Sequence, residues 1–168
     1  MLPLVLDPGN NAVGLAGAGE GLARRAAMLA EAGVQPVAIA PQAGRAELQH
    51  LAILFVAGLS PARSERLAAE ARTAGVLVNV EDHPTLCDFH VPAAIRRGDL
   101  LVTVSTSGKA PGLAKLLRQW IERRLGLEWD EHIAEVASAR AGWRRSGVAA
   151  PEVSRRTAAL VEQRGWLA

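Results

Sequence analysis

The chain reads as an α/β protein built on a parallel sheet, and three observations predict it. An apolar run, Ala12 to Ala16, enters a glycine cluster, Gly17-Ala18-Gly19-Glu20-Gly21, and a helical pattern follows at once. A later run, Val76 to Val80, is almost continuous in apolar and β-branched residues, the composition of a strand buried on both faces. Helical patterns alternate with such runs, so successive strands need helical crossovers and lie parallel.

Taken in order, Leu4 to Leu6 is an apolar run closed by Asp7-Pro8-Gly9-Asn10, which predicts an edge strand and a turn. After the glycine cluster, Leu22, Ala26 and Leu29 share one face of a helix over Leu22 to Ala32, and Gly33 stops it. Val34 to Ala40 is the next strand, which completes a strand-helix-strand unit. Ala43 to Leu51 is expected as a short helix and Ala52 to Ala57 as a strand. A helix over Ser64 to Ala74 takes Ser64 as its cap and lines up Leu67, Ala68 and Ala71, and Gly75 ends it.

The strand Val76 to Val80 follows, and Asp82 lies just past its carboxyl end, where open α/β sheets bind their ligands. A loop over His83 to Val91 leads to a short helix over Pro92 to Arg97 and a strand over Leu100 to Ser105. Thr106-Ser107-Gly108-Lys109-Ala110-Pro111 then turns into a helix that carries Leu113, Leu116, Leu117, Trp120, Ile121 and Leu125 on one broad apolar face. Little of the remaining chain is available to cover that face, so a homodimer is expected. Two further helices, Asp130 to Arg145 and Pro151 to Arg164, are split by Ser146-Gly147-Val148.

Composition sets bounds on function. With 168 residues and 49% hydrophobic content the chain can bury a real core. A formal charge of +2 is too small to hold nucleic acid by bulk electrostatics, although the arginines of the second half favour anionic small molecules. One cysteine rules out an intrachain disulfide and fits a reducing cytoplasm. No apolar run approaches the roughly 20 residues of a membrane-spanning helix, and the start of the chain lacks the basic region of a signal peptide.

The glycine turn is the first candidate site. Glycines between a strand and a helix let backbone N–H groups approach a pyrophosphate at the helix N-terminus, where the helix dipole favours negative charge. Here the third position of the G-x-G-x-x-G fingerprint holds Leu22, whose bulk is expected to push helix and strand apart. The end of the second strand, Ala40-Pro41-Gln42, lacks the acidic residue that commonly grips the ribose hydroxyls. A turn that only connects strand to helix is the competing reading.

Three segments together resemble the N-terminal module of siroheme synthases and its stand-alone relatives, the precorrin-2 dehydrogenase/sirohydrochlorin ferrochelatase family. They are LPLVLD, the glycine turn with ARRAAMLAEAG, and VLVNVEDHPTLCDFHVPAAIRRGDLLVTVSTSGKAPGLAKLLRQWIE, which cover most of residues 2 to 123. The resemblance implies a Rossmann-like NAD-binding domain over residues 1–92, a dimerisation strand-helix segment over 93–125 and a small helical domain over 126–168 that helps form a tetrapyrrole cleft. It implies oxidation of precorrin-2 to sirohydrochlorin with NAD as hydride acceptor, and in some members insertion of ferrous iron to give siroheme. The acidic residue of the family's N-V-x-D motif falls on Asp82, and the cofactor contacts fall on the turn Gly17, Gly19, Glu20 and Gly21 and on Pro41 and Gln42. A position modified by phosphorylation in some members falls on Thr106. The chain departs from the family between Pro41 and Ile53, which is shorter by about a strand, and at Ala57-Gly58-Leu59-Ser60, which replaces a polar A-T-D-D. A non-catalytic tetrapyrrole- or nucleotide-binding module is the alternative these departures leave open.

The chemistry such a site needs is simple. Loss of a hydride from a reduced tetrapyrrole leaves a cation that must shed a proton, and a carboxylate such as that of Asp82 accepts it. Asp82 could instead merely cap the turn before Pro84. The substrate's rim of carboxylates calls for donors: Ser105, Thr106, Ser107, Gly108 and Lys109 at the turn, with Arg96, Arg97, Lys115 and Arg118 as further cations. His83, Cys87 and His90 resemble a metal array but lack a fourth ligand, so no metal site is expected; Cys87 is expected to pack, and His83 is placed to act on Asp82. His50 and His132 are expected at the surface, and the four tryptophans in core or interface packing.

Overall fold

The computed structural model describes residues 2–167, which divide into two compact units, the first ending at Val91 and the second beginning at Pro92. The first holds a four-stranded parallel sheet. Its elements are β1 (Val13–Gly17), α1 (Gly19–Glu31), β2 (Val37–Ala38), α2 (Arg45–Leu48), β3 (Ile53–Ala57), α3 (Pro61–Thr73) and β4 (Leu77–Val80), followed by a 3-10 turn, Pro84–Leu86. The strands run in the order β2-β1-β3-β4, so the winding of the sheet switches to the other side of β1 when β3 is added.

Alternation along the central strands builds a core on each face of this sheet. Val13, Leu15, Ile53 and Phe55 point to the side of Leu29 on α1. Ala16, Leu54 and Val56 point to the other, where Leu48 of α2 and Leu67, Ala68 and Ala71 of α3 cover them. All five residues of β3 are buried, which is why this strand reads as an unbroken apolar run.

The ends of β1 and β3 approach so closely that neither can carry a side chain there. The Ala18 N–H donates to the Ala57 carbonyl at 3.1 Å, extending the ladder one residue past β1. A Cβ on Gly17 would lie 2.1 Å from the Ala57 oxygen, and one on Gly58, at φ +68°, 2.1 Å from the Ala18 oxygen. Gly21 then rests on Gly58, its absent Cβ only 2.9 Å from the Gly58 nitrogen. Gly21, not position 22, therefore makes the close helix-strand contact; Leu22 packs against the core on the α1 side and pushes nothing apart.

Several expected elements differ. Leu4 to Leu6 is not a strand: it carries no ladder, and Leu4 and Val5 lie about four-fifths exposed, although the Asp7 turn forms with the Gly9 N–H donating to Asp7 Oδ1 at 2.9 Å. The strand expected over Val34 to Ala40 shrinks to Val37–Ala38, because β2 has a partner on one side only and Pro36 interrupts its approach. Helix α1 begins at Gly19 rather than Leu22. Ser64 is not a cap but lies inside α3, buried; Ser60 occupies the N-cap position and Pro61 the first turn.

The second unit contains β5 (Ala93–Arg97), β6 (Leu100–Val104), α4 (Pro111–Glu122), α5 (Trp129–Arg145) and α6 (Ala150–Arg164). Ala93–Arg97, expected as a helix, pairs antiparallel with β6 across Gly98-Asp99, with Gly98 at φ +52°. A two-residue turn at Gly-Asp decides this against the helix propensity of Ala and Arg. On α4 the apolar face is open: Leu113, Leu116, Leu117 and Trp120 are exposed and Ala114 is the buried position. His132 is not a surface residue; its ring stacks on Trp166 at 4.0 Å and meets Trp129 edge-on at 5.4 Å.

Substituting Gly58→Ala is expected to destabilise the first unit by about 3 kcal/mol, from the left-handed backbone and the collision with the Ala18 carbonyl together. Urea unfolding measures it, and a loss below about 0.5 kcal/mol would mean that the β1-β3 junction is looser than described.

Candidate functional site

Three features gather at the carboxyl end of the sheet: the start of α1, the segment after β3 and the corner after β4. Ala18 holds the N-cap position of α1 without any side-chain cap, so the first N–H groups of the helix have no side-chain partner. Gly19 lies at φ +58° with nothing within 4 Å of where its Cβ would be. Open space over uncapped donors at the positive end of a 13-residue helix suits the pyrophosphate of a dinucleotide. Gly17, Gly19, Glu20 and Gly21 are thus together at one turn, while Pro41 and Gln42 follow β2 at the same edge of the sheet.

Glu81, which the sequence reading passed over, braces this turn. Its carboxylate reaches from the end of β4 to α1, where Oε2 lies 3.1 Å from Arg24 Nη2 and Oε1 accepts from Arg24 Nε at 3.3 Å. Arg25 adds a longer contact of 3.9 Å and spreads its guanidinium over the Phe55 ring, 5.2 Å from the centroid. Arg25 is mostly buried, and burial pushes its pKa below the usual value while Glu81 opposes the shift. Its Nε is buried without a hydrogen-bond partner. The signal available in sequence was an acidic residue inside N-V-E-D facing two adjacent arginines, and nothing local pairs them.

Asp82 occupies the corner itself. The His83 N–H donates to the Val80 carbonyl at 3.3 Å, closing a turn in which Asp82 takes φ +59°. This left-handed conformation costs a non-glycine residue about 1–2 kcal/mol. Its side chain is exposed, and among the described residues its carboxylate has no hydrogen-bond or ion-pair partner, so it does not cap the turn before Pro84.

The loop after Asp82 is strapped to β4 by the C-D-F residues. Asp88 Oδ2 accepts the Val78 N–H at 2.9 Å and Oδ1 takes Arg72 Nε at 2.9 Å, which covers the free edge of the strand. Buried Asn79 donates from Nδ2 to the Phe89 carbonyl at 2.9 Å, and Phe89 meets Phe55 edge-on. The Cys87 thiol donates to the Val80 carbonyl at 3.2 Å and accepts the Val80 N–H at 3.3 Å. Its sulfur is therefore committed to the strand, and among the described residues no group of three His, Cys, Asp or Glu side chains could hold a metal ion.

The second unit holds the other sequence-selected donors. Ser107 at φ +57° and Gly108 at φ +75° form a tight turn before α4. The Ser105 hydroxyl oxygen accepts the Ser107 N–H at 3.3 Å and that of Thr106 accepts the Ala110 N–H at 3.2 Å, which leaves both hydroxyl hydrogens free to donate. Lys109, Arg96 and Lys115 are exposed. Arg97 and Arg118 are not free: both pair with Glu122, and Arg97 also donates to the Leu125 carbonyl.

Because the Asp82 side chain supports nothing in the fold, Asp82→Gly is expected to leave stability unchanged or raise it by up to about 1 kcal/mol. A loss of more than about 1 kcal/mol in urea unfolding would show that the carboxylate holds the turn after all.

Comparison with known proteins agrees with this geometry. Residues 4–93 match a family described as "Putative NAD(P)-binding", and residues 97–124 one described as "Sirohaem biosynthesis protein central". The siroheme synthase of Ectopseudomonas mendocina (strain ymp) is 35% identical over 140 residues, covering 72% of this chain and 30% of that protein. Siroheme synthase 1 of Aeromonas salmonicida (strain A449) is 31% identical over 163 residues, covering 85% and 34%. The chain thus spans about a third of the length of these curated relatives. Among solved structures, "SirC, precorrin-2 dehydrogenase" shares the fold, with a TM-score of 0.73 at 18% identity over 100% of this chain and 93% of that one. No helix among the described residues is long and apolar enough to cross a membrane. With the NAD(P)-binding match running through more than half of the chain and the second match taking over at residue 97, the chain belongs to the siroheme synthase N-terminal precorrin-2 dehydrogenase/ferrochelatase family.

Proposed function

We propose that this chain is a precorrin-2 dehydrogenase of the cytoplasm, oxidising precorrin-2 to sirohydrochlorin. The observation that carries the reading is Asp82, an exposed and unpartnered carboxylate held in a strained conformation at the corner beside the dinucleotide turn. A nicotinamide dinucleotide, when bound, supplies the hydride acceptor. The residues that would hold it are Gly19, Glu20 and Gly21, through the uncapped N–H groups of α1, Gly17 at the end of β1, and Pro41 and Gln42 beside the adenosine.

Asp82 would take the proton that the tetrapyrrole sheds once the hydride has gone, so that one hydride and one proton leave together and the ring gains one double bond. Its carboxylate is exposed and makes no hydrogen bond or ion pair among the described residues, so nothing in the fold has to be broken for it to meet a substrate. Carboxylates on the substrate rim would find donors at Ser105, Thr106, Ser107 and Gly108 and the ammonium of Lys109. Ferrous iron is a second substrate under this reading, Asp82 then taking pyrrole protons as the metal enters. The open α4 face, Leu113, Leu116, Leu117 and Trp120, is the surface through which two copies would pair.

A second reading has one observation in its favour. Between β2 and β3 the chain has only the four-residue α2, and Ala57-Gly58-Leu59-Ser60 offers little side-chain polarity to a cofactor. A module that binds tetrapyrrole without dinucleotide would follow from that loss.

Anaerobic incubation with precorrin-2 and a nicotinamide dinucleotide separates the two. The wild-type chain is expected to produce sirohydrochlorin and reduced nicotinamide in equal amounts, and Asp82→Asn to lower the rate at least ~100-fold while dinucleotide affinity stays unchanged. Full activity in Asp82→Asn would remove the assignment of Asp82.

A further inference from the structure

We infer that Glu81 is a positioning residue of the reaction: through Arg24 and Arg25 it fixes the Asp82 corner to the helix that receives the dinucleotide, and so sets the rate at which Asp82 takes the proton. The inference rests on the assignment of Asp82 above and deepens it.

Hydride and proton leave the same macrocycle, so the groups that hold their two acceptors must stay in register. The uncapped turn of α1 is one of these groups, and the corner after β4 is the other. Backbone pairing fixes the corner to the sheet: the Glu81 N–H donates to the Val56 carbonyl at 2.9 Å, which carries the ladder one residue past β4. On its far side the Cys87 sulfur lies 3.2 Å from the Val80 carbonyl oxygen and 3.4 Å from that of His83, the residues that flank Glu81 and Asp82. None of these bonds reaches α1. Among the described residues, the only ion pairs between the corner and the helix are those of Glu81 with Arg24 and Arg25.

The Glu81 carboxylate is built into the junction rather than laid over it. Its side chain is 15% exposed and that of Arg25 13%, and a Cβ on Gly21, in the first turn of α1, would lie 2.7 Å from Glu81 Oε2. The carboxylate thus rests on the same turn that offers the free N–H groups. Burial lowers the Arg25 pKa, and Glu81 and, more weakly, Asp82 oppose the shift, so one cation feels both carboxylates. A surface pair would hold little, because solvent screens it and its side chains move. This one is mostly enclosed, and it joins residues 57 apart in the chain. A misplacement of about 1 Å between reacting groups can cost on the order of 100-fold in rate.

Steady-state rates, calorimetric titration with the dinucleotide and urea unfolding of the full chain test this, in the wild-type and Asp82→Asn backgrounds. Glu81→Gln is expected to lower kcat about tenfold or more, with dinucleotide affinity within about twofold of wild type. Arg24→Gln, at a side chain 62% exposed, removes the closest pair and leaves Glu81 beside the buried Arg25. It is expected to lower kcat about fivefold and decides the matter where Glu81→Gln does not fold. Arg24→Lys, which keeps the charge, is expected to regain part of that loss. In Asp82→Asn chains neither change is expected to slow the residual rate more than about twofold, because the group to be positioned is gone; a residue that merely holds the fold would slow both backgrounds alike. Wild-type kcat in both Glu81→Gln and Arg24→Gln, equal losses in the two backgrounds, or a loss confined to dinucleotide affinity overturns this inference and leaves the assignment of Asp82 standing. Full activity in Asp82→Asn alone overturns both.

Discussion

The arrangement of this site depends on the near-contact of two backbones, where β1 and β3 end with Gly17 and Gly58 facing Ala57 and Ala18. Strands in a sheet keep their ordinary spacing only while side chains point away from the neighbour. Here both chains turn out of the sheet at once, and any Cβ would strike a carbonyl. Glycine at both places lets the ladder run one bond further, to Ala18, and α1 starts at that point. The glycine cluster is thus first a packing device, and its uncapped N–H groups are what that device presents to solvent.

A second layer of constraint comes from β4. Asp88, Asn79 and Cys87 replace a missing strand neighbour with side-chain bonds, so the returning loop is held against an otherwise open edge. Glu81 ties the same corner to α1 through Arg24 and Arg25. Breaking that second tie would leave a mostly buried guanidinium without its anion, the costly half of a buried pair. Between these two anchors Asp82 is left in a left-handed turn with an unpartnered carboxylate, and strain of this kind persists only where the surroundings fix it.

Much of this was legible in sequence, and the exceptions have physical causes. Strands β3 and β4 were plain because they are buried on both faces, and Asp82 was singled out by its place after β4. Ala93–Arg97 was misread because alanine and arginine favour helix, while the Gly98-Asp99 turn that makes a hairpin is only two residues long. Ser64 looked like a cap, but Ser60-Pro61 carries the stronger start signal and buries Ser64 inside α3. Leu4 to Leu6 shows that an apolar run without a partner edge is not a strand. Glu81 escaped because it acts between elements, 57 residues from its partner Arg24. Periodicity finds faces; it does not find such partners.

The most direct measurement is an amide nitrogen-proton NMR titration of the chain with a nicotinamide dinucleotide. The resonances of Gly19, Glu20, Gly21 and Gly58 are predicted to move together and saturably. Saturable binding that leaves these four amides in place would contradict the account, because the β1-β3 junction would then not be the surface that receives the dinucleotide.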